Sequence, residues 1–205
     1  MTTMPAELLV WTDVDPAHEA DFNTWYDREH MGERMAIPGF VSARRFLRVG
    51  SGRKYLALYK TESLAVFDSE PYRRAFGNQT QWSLENFRRM RDTVRAVGTI
   101  AEAGAGHGGF AGLVAFASDR TDAARSLLES CVKADGLIAG HILDPDPRLS
   151  KPLPGAAAGA LAGSILILEG TSADVVAQAM RDASGALDAD PANAAVFQLM
   201  WELSL

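Results

Sequence analysis

The pattern of hydrophobic and polar positions in the first half of the chain predicts alternating strands and helices. Apolar residues recur with the two-residue period of strands at 7–13, 39–49, 54–60 and 92–101. Helical spacing follows Pro16 to about residue 36 and returns at 62–76 and 83–90, with Pro71 expected to begin a new turn. This order is that of a β-α-β-β-α-β unit.

The second half repeats the same order. Its predicted strands are 112–118, 136–143, 164–169 and 194–203, and its predicted helices are 121–134 and 173–187. Two short similarities between the halves support a repeat. GFV at 39–41 matches GLI at 136–138, and LALYKTES at 56–63 matches LILEGTS at 166–172. We therefore predict a first module at 1–101, a Gly-rich linker at 102–109 and a second module at 110–205.

A four-stranded antiparallel sheet that carries its helices on one face leaves the other face bare, and the sister unit is the obvious cover. The sequence therefore predicts an α+β protein of tandem ferredoxin-like repeats, packed sheet to sheet as an intramolecular α/β barrel. The alternative is two unrelated α+β domains in series.

Composition narrows the class of protein. The 205 residues are 47% hydrophobic and 22% charged, which is ordinary for a globular protein. A net charge of −6 gives no overall attraction to nucleic acid or to an anionic membrane. The single Cys131 excludes an internal disulfide, and residues 1–11 do not have the pattern of a secretory signal. We expect a cytoplasmic protein without nucleic-acid or membrane partners.

Most acid–base and hydrogen-bonding side chains of the first half lie in residues 22–46, FNTWYDREHMGERMAIPGFVSARRF. On an ideal helix of about 100° per residue, one stripe carries Phe22, Trp25, Tyr26, Glu29 and Glu33. His30 and Arg34 then lie at the edge of that stripe. The second half has no counterpart of these residues, so we expect a ligand pocket in the first module and a scaffold role for the second.

Two residues of this helix are candidates for proton transfer. His30 is the first, because imidazole titrates near physiological pH. The alternative is a half-buried histidine bonded to a nearby acid such as Asp27. Glu29 is the second, since burial among aromatic rings favours the uncharged carboxyl, which can hold or donate a proton. The alternative is a structural ion pair between Glu29 and Arg44 or Arg45.

Arg44 and Arg45 must point to opposite faces of their strand, because side chains alternate. Arg45 interrupts an otherwise apolar face, where it could bind a carboxylate, phenolate or enolate oxygen. His141, in the corresponding strand of the second half, is interpreted as a hydrogen-bond partner at the interface between the modules. The aromatic residues either contact a ligand or belong to the core: Trp25, Tyr26, Tyr59 and Trp82.

The W-Y-D-x-E-H helix, followed by P-G-F and an arginine-bearing strand, resembles the dimeric α/β-barrel superfamily, and within it EthD-like proteins and bacterial two-module proteins. The resemblance covers roughly residues 8–101, and the second half matches in layout alone. It implies a ligand cavity between sheet and helices, with His30 in the place of the family's helix histidine. The superfamily includes quinol monooxygenases, lactone isomerases, polyketide cyclases and haem enzymes, so the fold alone does not select an activity.

The leading hypothesis is a cofactor-free monooxygenase, isomerase or cyclase that acts on a small aromatic or polyketide-like compound. Its catalytic residues would be His30, Glu29 and Arg45, and its ligand contacts Trp25, Tyr26, Arg34, Arg44, Tyr59 and Trp82. Turnover should then follow a group that titrates near pH 6–7. No familiar metal-ligand spacing occurs. The resemblance also admits haem, bound through His30 or His141.

Two other functions remain open. The chain could be a non-catalytic module that sequesters a hydrophobic small molecule, for example in a stress response. It could also be a structural protein whose polar residues in the first half pair with each other. Exposed helix faces or strand edges could in addition support a homodimer.

Overall fold

The computed structural model describes residues 4–151 and 163–204, and in these residues eight antiparallel strands form a closed barrel. The strands are β1 Ala6–Val14, β2 Phe40–Arg48, β3 Tyr55–Thr61, β4 Met90–Gly104, β5 Phe110–Phe116, β6 Leu137–Pro145, β7 Ser164–Gly170 and β8 Ala195–Ser204. Their order around the barrel is β1-β3-β2-β8-β5-β7-β6-β4. The predicted α+β class and the predicted barrel are confirmed.

The two halves of the chain are joined along both edges. Strand β2 pairs with β8, with Arg45 opposite Trp201, and β4 pairs with β6, with Glu102 opposite His141. Each strand therefore has two partners, and closure leaves no bare edge in the barrel.

Apolar side chains fill most of the barrel lumen. Alternate residues of the strands point inward, and they include Leu9, Leu58, Ile100, Leu113 and Ile167, all at most 2% exposed. Charged side chains replace this apolar packing at one end, where Arg44 bonds Glu169 and His141 bonds Glu7 across the lumen. His141 is thus the expected hydrogen-bond partner between the halves.

In the described ranges, six α-helices cover the outside of the barrel: α1 Glu19–Trp25, α2 Met31–Met35, α3 Glu70–Gly77, α4 Gln81–Arg89, α5 Thr121–Cys131 and α6 Ala173–Ala186. A π-helical turn, Tyr26–His30, joins α1 to α2 without a break in the helix. Side-chain caps set the starts of the next two helices. The Ser69 hydroxyl accepts from the Tyr72 amide, and the Thr80 hydroxyl accepts from the Ser83 amide.

Several predicted bounds are wrong. The helix predicted at 62–76 is a 3₁₀ turn, Leu64–Asp68, followed by α3, whose first turn contains Pro71 as expected. The linker predicted at 102–109 begins too early, since β4 continues to Gly104. It continues because Glu102 and Gly104 pair with His141 and Ala139 of β6, a long-range ladder that local sequence does not indicate. Among the described residues no helix has the length and apolar character needed to cross a membrane.

Close packing of α6 on β5 depends on Gly112. A Cβ atom at this position would lie 2.5 Å from Met180 Cγ and 2.7 Å from Val176 Cγ1, inside their van der Waals radii. We therefore expect Gly112→Ala to lower the free energy of unfolding by about 1–3 kcal/mol in urea denaturation. Gly109→Ala is the matched control, because a Cβ there meets nothing within 4 Å. Equal stability of the two variants would contradict this packing.

Candidate active site

The π-helical turn determines where His30 lies. In a π-helix the backbone bonds residue i to residue i+5, so side chains five residues apart lie above one another. The Met31 amide donates to the Tyr26 carbonyl in this way, and the Trp25 and His30 rings lie 4.3 Å apart between centroids, tilted by 31°. His30 is therefore held against the face of Trp25.

The turn also corrects the predicted helix faces. His30 and Arg34, expected at the edge of the stripe, are buried at 7% and 5% exposure. Glu29 and Glu33, expected within it, are only half-buried. The prediction assumed 3.6 residues per turn throughout, and the wider π turn rotates every residue that follows Tyr26.

His30 lies in an aromatic enclosure. Its ring is 5.2 Å from Tyr26, 5.8 Å from Phe87 and 6.2 Å from Tyr59 between centroids, and its Nδ1 has no hydrogen-bond partner among the described residues. The alternative of a bond to Asp27 is wrong, because Asp27 binds Arg45 and Trp201 instead. Burial, together with the charges of Arg34 and Arg45, lowers the pKa of His30 well below 6.5.

A small cavity of about 30 Å³ adjoins the imidazole. Leu8, Val10, Phe87 and Met90 give it apolar walls, and its polar lining comes from His30, Arg34, Tyr59, Tyr72 and Arg95. Arg34 Nε is buried without a partner in the described part of the chain, and the Tyr59 hydroxyl lies beside that of Tyr26. Burial raises the pKa of Tyr59 well above its usual value, so the phenol keeps its proton. The cavity has room for water but not for an aromatic substrate.

Glu29 does not enter this cavity, and it pairs with neither Arg44 nor Arg45. It accepts hydrogen bonds from the Thr80 hydroxyl at 2.6 Å and the Ser83 hydroxyl at 3.2 Å. The Ser83 hydroxyl in turn accepts from Trp25 Nε1 at 3.0 Å. Glu29 therefore fixes Ser83, Ser83 fixes the Trp25 indole, and the indole supports the His30 ring.

Arg45 lies on the helix side of β2 but does not reach the cavity. Its guanidinium carbon is 4.2 Å from the Tyr26 ring centroid and 4.9 Å from that of Tyr55. Nη1 donates to Asp27 and Nη2 to Asn23, at 3.1 and 2.6 Å. Arg45 acts on His30 through its charge alone, whereas Arg34 lines the cavity itself.

The remaining predicted residues separate into three groups. Tyr26 and Tyr59 line the cavity, and Trp25 supports it from behind. Arg44 lies in the barrel lumen, bonded to Glu169. Trp82 points away, with its indole nitrogen bonded to the Asp21 carboxylate.

Sequence reasoning missed the partners that other segments supply. Arg95 lines the cavity, donates to the Tyr72 hydroxyl at 3.0 Å and also bonds the Leu149 carbonyl, so a loop of the second half braces this wall. Ser83 and Phe87 come from α4, more than fifty positions after His30 in the chain. The sequence contains one indirect signal: the N–H of a buried indole needs a hydrogen-bond acceptor, and a residue such as Ser83 can supply it.

Ser83→Ala tests the chain of contacts behind His30. It leaves the buried Trp25 N–H without an acceptor, so we expect a loss of about 1–3 kcal/mol in the free energy of unfolding. The Trp25 indole and His30 imidazole resonances should both shift in NMR spectra. Ser126→Ala, an exposed serine that bonds the Asp122 carbonyl, is the control. Identical effects of the two variants would show that Ser83 does not position Trp25.

His30 should remain neutral at pH 6, which NMR titration of its imidazole would measure. Below about pH 6.5 the His30 imidazole of the unfolded state binds a proton that the folded state does not bind. The free energy of unfolding therefore increases as the pH rises toward that value. The contribution of His30 is complete above about pH 6.5 and is lost as the pH falls below that value. On acidification below about pH 6.5, the free energy of unfolding should therefore fall less in His30→Gln than in the wild type. An imidazole that titrates at or above pH 6.5 would contradict the buried position.

No family model matches the sequence, and comparison with curated proteins gives no match. Solved structures with the same fold include an anthrone oxidase-like protein, 12% identical, with a TM-score of 0.65 over 98% of this chain and 93% of that one.

Two further neighbours cover nearly the whole chain. A provisionally named monooxygenase from Fusobacterium nucleatum is 8% identical, with a TM-score of 0.60 over 100% of this chain and 96% of that one. A heme-binding protein from Thermus thermophilus is 10% identical, with a TM-score of 0.52 over 97% of this chain and 92% of that one. At these identities the likeness shows a shared α/β-barrel fold alone.

Proposed function

We propose that this chain is a small-molecule enzyme of the monooxygenase type, acting on a compact aromatic or polyketide-like compound at the His30 cavity. One observation carries the proposal. His30 Nδ1 and Arg34 Nε are buried beside an apolar, aromatic-walled cavity, and no described residue bonds them. Buried polar atoms are rarely left unpaired, and such atoms around a cavity are typical of a ligand site.

The names of the structural neighbours support the same class of reaction. One is called anthrone oxidase-like and another carries a monooxygenase name. An anthrone is a fused aromatic ketone, and the rings around His30 would suit such a shape. Because these neighbours share only the fold with this chain, the proposed activity rests on the side chains around the His30 cavity.

His30 would act as the base. Its lowered pKa keeps the imidazole neutral at physiological pH, so it can accept a proton from an acidic O–H or C–H of the ligand. Arg34 and the Tyr59 O–H would stabilise the negative charge that develops on oxygen. Dioxygen would be the oxidant: in the oxidation of a ring CH₂ to a ketone, one oxygen atom enters the product and the other leaves as water.

These roles revise the sequence hypothesis in three respects. Arg34 lines the cavity, as Arg95 also does, whereas Arg45 and Arg44 do not, and Glu29 would be a positioning residue. The expectation that turnover follows a group near pH 6–7 also changes, since burial lowers the pKa of His30 well below 6.5.

Ligand binding would require the cavity to open. Ligand pockets usually enclose about 300–1,000 Å³, and this one encloses about 30 Å³. Helix α3 forms one wall through Tyr72 and Phe76, and Tyr72 is its only buried residue. A helix held by so few apolar contacts can move at a low free-energy cost, so α3 is the element that would admit the substrate.

Haem does not fit the described residues. A porphyrin is far larger than a three-ring aromatic, so the His30 cavity would have to open much further for haem than for the proposed substrate, and His141 Nε2 is bonded to Glu7. A groove of about 900 Å³ beside α6 and β8 contains no histidine, cysteine or tyrosine among its described lining residues. Haem needs an axial ligand of this kind or a methionine, and Met180 of the groove is packed in the core.

A non-catalytic binding module is the second candidate function. The closed cavity and the absence of an acid bonded to His30 among the described residues favour it, because a base is commonly oriented by a third group. Such a module would bind an aromatic molecule without consuming oxygen.

The order of the strands also supports a chain built of two similar modules, of which the first would contain the site. Strand order is β4-β1-β3-β2 in the first half and β8-β5-β7-β6 in the second, which is the same order in both. We infer two ferredoxin-like modules at 1–101 and 110–205, with the ligand site in the first. Leu128, Leu168 and Met180 belong to the apolar core of the second module, which would serve as a scaffold.

Oxygen uptake with anthrone and naphthohydroquinone as probes tests the function. We expect His30→Gln to lower kcat by about 10²–10⁴-fold, because general-base catalysis contributes that much. His18→Gln, at an exposed histidine outside the cavity, is the control and should retain full activity. Binding of these probes without oxygen uptake in the wild type would favour the binding module instead, and binding of neither would contradict both functions.

A further inference from the structure

A second, polar cavity of about 280 Å³ lies at one end of the barrel lumen. It begins where the apolar lumen packing stops, and the bend Gly104–His107 covers it. Its inner wall carries the side chains of Glu7, Arg44, His141 and Glu169, and Lys60 and Glu102 stand at its mouth. These residues come from six different strands.

Stability does not explain these charges. The side chains of Arg44 and Glu169 are 7% and 3% exposed, and those of His141 and Glu7 are 5% and 2% exposed. Burial of ion pairs costs desolvation, and apolar residues of similar volume are often as stable or more so. The rest of the lumen is filled by aliphatic and aromatic side chains, so charge is not a requirement of barrel closure.

Arg44 is held with one edge open. Its Nη1 donates to both oxygens of Glu169 at 2.7 Å, and the Gly108 amide fixes the same carboxylate at 3.0 Å. Arg44 lines the cavity, and no described residue bonds its Nε or Nη2. Two guanidinium nitrogens presented together form the pair that binds a carboxylate bidentately.

Glu7 offers the opposite charge. Its Oε1 lies 2.9 Å from His141 Nε2, and its Oε2 bonds no described residue. Burial opposes ionisation, but the charges of His141, Arg44 and Lys60 outweigh it and lower the pKa of Glu7. The cavity therefore presents a fixed carboxylate and a fixed guanidinium, each with unused hydrogen-bonding capacity.

Other ligand classes suit the cavity less well. In the described part of the chain no three histidine, cysteine or carboxylate side chains are placed to hold a metal ion. Each acid already has a basic partner, and what stays open is one oxygen of Glu7 and two nitrogens of Arg44, so a simple cation or anion would bond one of these groups and leave the other without a partner. A molecule with both charges compensates both.

We propose that this cavity is a second ligand site, separate from the His30 cavity, which binds a small zwitterion of amino-acid size. The carboxylate of the ligand binds the Nε–Nη2 edge of Arg44, and its ammonium group binds the open oxygen of Glu7. Lys60 and Glu102, paired at 2.7 Å, border the opening to solvent. This site does not depend on the function proposed for His30.

Isothermal titration calorimetry at pH 7 with glycine, L-alanine and L-serine tests the proposal, with acetate and methylammonium as the two half-ligands. We expect the amino acids to bind and each half-ligand to bind about tenfold more weakly or worse. Arg44→Met and Glu7→Gln should each weaken amino-acid binding by about tenfold or more. The same amino acids should raise the unfolding temperature of the wild type and not that of the variants.

Matched variants separate binding from folding. Arg91→Met removes an exposed arginine outside the cavity and should bind as the wild type does. If Arg44→Met unfolds because Glu169 is left unpaired, the double variant Arg44→Met/Glu169→Met removes both charges and should fold without binding. His30→Gln should leave amino-acid binding unchanged. Absence of binding to the wild type, or wild-type affinity in Arg44→Met and Glu7→Gln, would overturn the proposal.

Discussion

Closure of the barrel is the constraint on which the rest of the structure depends. The β2–β8 and β4–β6 ladders give every strand two partners, so the lumen is reserved for side chains and all helices lie outside. A cavity can then form only between the helices and the outer face, or at an open end of the lumen. Adjacent residues of β2 reach both places: Arg45 lies under the first helix, and Arg44 faces Glu169 inside the barrel.

Local periodicity was enough to predict the elements and their order, because each strand buries a face and each helix a stripe. It predicted that Pro71 begins a new turn and that Arg44 and Arg45 point in opposite directions. It did not predict that β4 continues through Glu102 to Gly104, since the partner of that segment, β6, lies some forty positions away. The pairing of β2 with β8 is equally invisible to local sequence.

The candidate site was predicted in position but not in geometry. Residues 22–46 do hold His30, Trp25, Tyr26 and Arg34, and all four are buried. Their contacts could not be predicted, because an ideal helix was assumed and because α4 and the loop at Leu149 complete the enclosure. Glu29, expected among the aromatic rings, instead supports the site from behind through its bond from Ser83.

The π-helical turn has a consequence for how the site is encoded. Contact between Trp25 and His30 depends on the number of residues between them as much as on their identities. In an ordinary helix of the same sequence, five residues at about 100° each would place the imidazole about 140° around the helix axis from the indole, with both side chains still present. Conversely, one residue inserted between two side chains that are four positions apart, and absorbed as a π turn, leaves them in contact and gives such a pair. The chemistry of this cavity is thus specified by spacing along the backbone.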